Sequence, residues 1–323
     1  MNPYRQGNHS LDELLEKLSL KFAASGQDLN SYLEGLLHEK YLTYWDYIQL
    51  DTLLSLQKPK TAIPDEQIFI IYHQITELYF RLILVEMDQI HLETGDEEFL
   101  TRLERINRYF KNLVQSFDVM VDGMDQQQFL QFRMSLLPAS GFQSAQYRMI
   151  EIKATPFINL VDKEVRSTIS PDAEIEVMFE HIYWKKGATE LATGKKTLTL
   201  ESFEEKYANE LIDLARAMNG KTIGDRFQQG VSEPLLPQVI KALRRFDSFV
   251  NVNWPLAHYK SAVRYLERNL EDIAATGGTN WQKYLPPRFQ KRIFFKNLFT
   301  EHELAEWGKS WVEKEVFGIT ISD

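Results

Sequence analysis

The chain has 323 residues with 37 basic against 46 acidic side chains, a formal charge of −9 that argues against nucleic acid or an anionic membrane as the main partner. Glycine (15) and proline (11) are scarce and hydrophobic residues reach 44%, which excludes collagen-like, turn-rich all-β and disordered classes and calls for long regular elements. Cysteine is absent, so disulfides, thiolate metal sites, iron–sulfur clusters and cysteine nucleophiles are ruled out, and a protein-held metal must use histidine or carboxylate.

The first residues have no apolar signal-peptide core. The longest unbroken apolar run, Ile68 to Tyr72, falls far short of the roughly 20 residues of a membrane helix. A cytoplasmic location is the expectation. Ser10-Leu11-Asp12-Glu13 forms a capping box, with Leu11, Leu14, Leu15 and Leu18 following at helical spacing. Tyr41 to Gln57 reads as a second helical segment, with Tyr47, Leu50, Leu53, Leu54 and Gln57 on one face, ended by Lys58-Pro59-Lys60.

Pro64-Asp65-Glu66 suits a helix N-terminus, and Gln67 to Ile90 continues for about seven turns. This helix is apolar on more than one side. Ile68, Ile71, Ile75, Leu78 and Leu82 make one stripe; Phe69, His73, Thr76 and Phe80 make a more polar one beside it. Such a helix belongs at the centre of a fold. Helical stretches follow at about Glu97 to Val119 and at Asp125 to Leu136, the latter stopping before Pro138.

Residues 167–230 change character. Lys185-Lys186-Gly187 and Thr193-Gly194-Lys195-Lys196 read as exposed loops around a helix at Leu200 to Met218. Two helices come next, Pro237 to Trp254 and Pro255 to about Ile273, with Pro255 expected to interrupt the turn before His258. No repeat and no sustained alternation occurs. The expected fold is all-α: a single helical-bundle domain, residues 1–323, with an inserted helical and loop subregion at about 167–230.

Nucleotide, dinucleotide, zincin and serine-hydrolase motifs are missing. Histidine is then the main source of chemistry, at His9, His38, His73, His91, His181, His258 and His302. His73 and His258 sit within strong helices, the first one turn after Phe69. Two such histidines suit either satisfied core positions or a haem pocket with one proximal ligand and one distal imidazole, and spacing does not choose between them. Arg133 offers a planar fork for a carboxylate ahead of the Ser140-Gly141 turn. It equally suits a surface arginine before a helix stop. Thr276-Gly277-Gly278 is either a plain helix-terminating loop or a contact for a small charged ligand.

Four blocks in order, spread over most of the chain, resemble the tryptophan 2,3-dioxygenase family. They are Tyr44 and Tyr47 with Leu50-Asp51-x-Leu53-Leu54-x-x-Gln57; Asp65-Glu66-x-x-Phe69-Ile70-x-x-His73-Gln74-x-x-Glu77-Leu78; Phe132-Arg133 through Ser140-Gly141-Phe142-Gln143-Ser144-x-Gln146-Tyr147-Arg148; and Trp254-x-x-x-His258 with Thr276-Gly277-Gly278. The resemblance implies a haem b homotetramer that cleaves the indole 2,3-bond of L-tryptophan with O₂ to give N-formylkynurenine. It implies His258 as the axial iron ligand and His73 as the distal imidazole that bonds the indole N–H. Phe69 and Phe129 would pack on the substrate, Arg133 would pair with its carboxylate, and Thr276 would hold its amino-acid end. Ser140 and Gly141 would line the haem. Tyr44, Tyr47 and Ile48 would act on a neighbouring subunit's pocket, making helices 10–57 an intersubunit element.

The 268–281 stretch departs from the family pattern, and 167–230 has no clear counterpart in it. A haem oxygenase for another indole and a non-catalytic haem or tryptophan sensor are the alternative readings.

Overall fold

Every regular element in the computed structural model, which describes residues 10–39, 42–136, 139–189, 194–266 and 291–308, is helical. Among these residues β-pairing is confined to two isolated bridges, Val161–Ile182 and Thr189–Lys196. The described residues are all-α, as their helical spacing and lack of sustained alternation predict. The chain forms two compact units divided between Gln57 and Lys58.

The first unit contains α1 (Leu11–Ala24), α2 (Leu29–Leu37), α3 (Tyr44–Tyr47) and α4 (Leu50–Leu54). The capping box is present: Glu13 N donates to Ser10 Oγ and Ser10 N to Glu13 Oε2, each at 3.2 Å. The segment expected as one helix over 41–57 is instead α3 and α4, parted by Gln49 at φ +53°. Gln49 Nε2 donates to the Asp46 carbonyl at 2.5 Å, a local bond that competes with helix propagation. Leu29 is the one buried residue among those described in this unit. Tyr41 lies outside the described residues.

The second unit is organised by α5 (Pro64–Met87), which packs on α6 (Asp96–Ser116), α8 (Gln126–Phe132) and α9 (Ala145–Ala154). By length and composition α5 could cross a bilayer. Its aromatic stripe nevertheless turns inward, with Tyr72, Phe80, Ile83 and Met87 buried, while Ile71, Ile75, Leu78 and Leu82 remain exposed. Aromatic side chains remove more apolar area per position than aliphatic ones, and this favours the inward face that carries them. The start of α5 is bound to the start of α8: Asp65 Oδ2 accepts from Asp125 N at 2.6 Å, and Asp65 N donates to Gln128 Oε1 at 3.3 Å.

The long stretch expected over 97–119 breaks at Phe117 into α6 and α7 (Asp118–Val121), and a 3₁₀ turn, Arg133–Leu136, ends α8. Within 167–230 lie α10 (Ile175–Glu180), α11 (Leu198–Ala217) and α12 (Ile223–Gln228). One expectation fails here. Lys185-Lys186-Gly187 is not an exposed loop but part of a 3₁₀ turn in which Lys185 and Gly187 are buried. The Lys185 ammonium is held by Glu204 at 2.7 Å and lies over the Phe179 ring at 4.2 Å, so its charge is compensated inside the fold.

Pro255 does not interrupt the chain before His258. Instead α13 (Leu236–Ser248) runs through a π turn, Phe249–Asn253, directly into α14 (Trp254–Leu266). Trp254 N–H donates to the Phe249 carbonyl five residues back, and the wider π turn accommodates the proline ring and its missing donor. The expected extension to Ile273 lies outside the described residues, as do Thr276, Gly277 and Gly278. A short α15 (Glu301–Ala305) follows.

Buried Asp247, near the end of α13, clamps the returning segment. Its carboxylate accepts from Phe294 N at 2.8 Å, Phe295 N at 2.9 Å and Asn251 Nδ2 at 2.6 Å. Burial pushes its pKa up to about 7 even against those three donors. Asp247→Ala leaves two buried backbone N–H groups unpaired and should lower the urea-unfolding free energy by about 3 kcal/mol. A loss below about 0.5 kcal/mol, the scale of an ordinary surface change, would show that the clamp is dispensable.

Candidate functional site

A cavity of about 330 Å³ opens in the second unit, with α5 on one side and α14 on another. His73 from α5 and His258 from α14 both line it. Each imidazole is tied to its own helix: His73 Nδ1 meets the Phe69 carbonyl at 2.8 Å, and His258 Nδ1 meets the Trp254 carbonyl at 3.1 Å. A carbonyl can only accept, so each Nδ1 carries the hydrogen and each neutral ring keeps a lone pair on Nε2. Burial lowers the pKa of both groups, taking His258 down to about 4. Both rings are therefore neutral at pH 7, the form that coordinates metals or accepts a hydrogen bond.

Aromatic rings fix the two imidazoles. Trp254 and Phe117 lie 4.4 and 4.5 Å from the His258 ring, and Phe69 lies 4.1 Å from His73. Phe129 from α8 stands 6.2 Å from Phe69 and extends the apolar wall. Near Gly141 the cavity is open: a Cβ at that position would meet no atom within 4 Å. Ser140 caps the 3₁₀ turn there, and Gln143 anchors it to α11 by donating to Thr199 O at 3.1 Å.

One part of the lining is cationic. Arg148 and Arg292, both buried, share Glu151: Arg148 Nη1 lies 3.2 Å and Arg292 Nη1 2.8 Å from its oxygens, and Tyr183 OH donates to it at 2.6 Å. Two guanidiniums thus face one carboxylate. Arg148 Nε and Trp184 Nε1, both buried, have no acceptor among the described residues. Buried donors in this state favour an incoming anion.

The cavity brings together Phe69, His73, Phe129, Ser140, Gly141 and His258 from the expected set. Arg133 is buried in the turn after α8 but does not line the cavity. Thr276 is outside the described residues. Tyr44, Tyr47 and Ile48 belong to the other unit, where they are exposed. Sequence reasoning passed over Arg148 as a site residue, although it closes the Ser140–Arg148 block, and it missed Tyr183, Trp184, Tyr265 and Arg292. No local spacing marks Tyr183, Trp184 or Arg292, which reach the cavity only through the fold, whereas Tyr265, seven residues after His258 on the same helix, was legible beside it by helical spacing though not singled out as a site residue. Among the described residues no three His, Asp or Glu side chains converge to hold a bare ion. A metal at His258 would have to arrive with most of its own ligands.

Residues 35–159 match the family model described as tryptophan 2,3-dioxygenase. The matched segment, less than half of the chain, resembles the tryptophan 2,3-dioxygenase family. The tryptophan 2,3-dioxygenase of Anaeromyxobacter sp. (strain K) is 40% identical over 118 residues, 35% of this chain and 44% of that protein. That of Bacillus anthracis is 40% identical over 114 residues, covering 34% and 40% respectively. The Xenopus tropicalis protein is 41% identical over 126 residues, covering 35% and 31%. Less than half of each relative's length is therefore spanned. The family match includes Phe69, His73, Phe129, Arg133, Ser140, Gly141 and Arg148 and stops before the block around His258, so it covers a smaller share of the chain than the four blocks suggest.

Proposed function

We propose that this protein is a haem-dependent tryptophan 2,3-dioxygenase that opens the indole ring of L-tryptophan with O₂ to N-formylkynurenine in the cytoplasm. The observation that carries the reading is the pair of neutral imidazoles on separate helices, each presenting an Nε2 lone pair at one cavity. The donor set fits haem b: a neutral histidine that would hold the iron, open space at Gly141, and a cationic end with two unpaired N–H groups that would suit the haem carboxylates. Bound haem supplies O₂ activation at its iron.

The chain's own residues bind and orient. His258 Nε2 would hold the iron, and the Trp254 carbonyl, accepting from Nδ1, fixes the ring and raises its basicity. His73 Nε2 accepts the indole N–H, and Phe69 and Phe129 pack on the ring. The family resemblance assigns the amino-acid end to Arg133 and Thr276, and Arg133 would have to leave its buried place in the turn after α8 to reach the cavity; Ser140 and Gly141 would line the haem. Tyr44 and Tyr47, 71% and 77% exposed, reach a neighbouring subunit's pocket together with Ile48 in a homotetramer.

The test is to reduce the haem-loaded protein anaerobically, add L-tryptophan and labelled O₂, and weigh the product. A gain of two labelled oxygen atoms is expected. Turnover of another indole but not tryptophan, or addition of one atom, supports a related oxygenase, a reading favoured by the Tyr183, Trp184 and Tyr265 walls contributed from beyond the matched segment. Binding without turnover of any indole makes it a sensor. Arg133→Ala should raise KM for tryptophan about 100-fold with a much smaller change in kcat, a cost of ~3 kcal/mol for a lost charge-assisted pair. A KM within about twofold of wild type would remove Arg133 from carboxylate recognition.

A further inference from the structure

Tyr265 lies two turns beyond His258 on α14, outside the family-matched segment, and is 3% exposed. Its ring stands 4.9 Å from Phe129, the wall that continues from Phe69 and His73. The phenol cannot swing freely, because its hydroxyl lies 3.2 Å from both the Val121 and the Met124 carbonyls. The backbone at its base is held as well: Gln126 Nε2 donates to the Arg264 and Tyr265 carbonyls at 3.2 and 3.4 Å. Phe132 braces Phe129 edge-on at 5.5 Å. A flat ligand seated against Phe69 and His73 therefore meets Phe129, whose retreat is blocked by a side chain tethered at both ends.

We propose that Tyr265 is a specificity-determining residue that sets the width of the aromatic half of the cavity and so limits which ring substituents an indole amino acid can carry. It acts through Phe129 and the cavity wall. The inference rests on the tryptophan-binding reading above, and it adds to that reading a size limit imposed by the helix that carries His258. A bulkier ligand would have to displace a ring whose hydroxyl would then lose its carbonyl partners, and buried carbonyls left unpaired are costly.

The test is equilibrium binding, by calorimetry on the full-length haem-loaded protein, of L-tryptophan and its 4-, 5-, 6- and 7-bromo derivatives. In the wild type at least one bromo isomer should bind 10-fold or more weakly than tryptophan. In Tyr265→Leu that penalty should shrink at least 10-fold, and in Phe129→Leu, which opens the same wall from the ligand side, it should shrink likewise. Tyr265→Phe keeps the ring and loses only the tether, so it should relieve the penalty by a smaller factor, and it keeps the test decisive if Tyr265→Leu does not fold. The proposal is overturned if tryptophan binds the wild type but no isomer is penalised there, or if the penalty stays within twofold of wild type in the folded Tyr265 variants. Failure of tryptophan to bind the wild type overturns the parent reading and this proposal together.

Discussion

His258→Ala is expected to purify as a folded protein that carries at least 10-fold less haem than the wild type, read as the loss of the Soret band and by extracted haem content. The imidazole presents its Nε2 to the cavity, and no other described histidine lines that cavity except His73 on α5. His73 does not substitute, because its ring is fixed by Phe69 and by its own backbone bond on a different helix. The substitution removes a cavity-lining side chain whose hydrogen bond is to its own helix, so the fold itself should lose little. Free imidazole, small enough to enter the vacated space, should restore part of the Soret absorbance. Wild-type haem content in the variant would overturn the assignment of His258 as the iron ligand.

The second large effect is on stability. Glu151→Gln is expected to lower the unfolding free energy by about 3–5 kcal/mol, the cost of breaking a buried ion pair from one side. Glu151 is 1% exposed and is the carboxylate shared by Arg148 and Arg292, so its neutralisation leaves both guanidiniums without that partner. Arg148→Met is expected to cost roughly half as much in the same denaturant titration, because Glu151 keeps Arg292 at 2.8 Å and the Tyr183 hydroxyl at 2.6 Å. The ordering of the two variants is the discriminating measurement. If Arg148→Met proves the more damaging, the cluster is not governed by excess positive charge. An anionic ligand bound beside the two arginines should narrow the Glu151→Gln deficit, since it supplies the negative charge that the substitution removed.

Much of the site's local geometry is written within single turns of helix. The bonds from His73 to the Phe69 carbonyl and from His258 to the Trp254 carbonyl each span four residues. Any helix through those positions places ring and carbonyl in reach. The Ser10 capping box is local in the same way. Where sequence reading failed, a competing local bond or a tertiary contact intervened. The Gln49 side chain bonds back to Asp46 and splits the expected helix. Lys185 looked like a loop residue because its partner Glu204 sits on another helix. Pro255 looked like a breaker because a π turn has no strong signature in residue type.

The sequence by itself determined a helical chain without thiol chemistry and two histidines each able to bond its own helix, whereas packing decided that the aromatic stripe of α5 turns inward and the aliphatic one stays exposed. Helical periodicity and four-residue hydrogen bonds need no distant partner, so residue order suffices for them. Only the tertiary structure decided that His73 and His258 share one cavity, that Tyr265 backs Phe129, and that Glu151 lies between Arg148 and Arg292. Arg292 also donates to the Tyr147 hydroxyl across 145 positions of sequence. Contacts of that span arise only when helices pack and water leaves the charges between them, and a linear pattern does not encode which charges will meet.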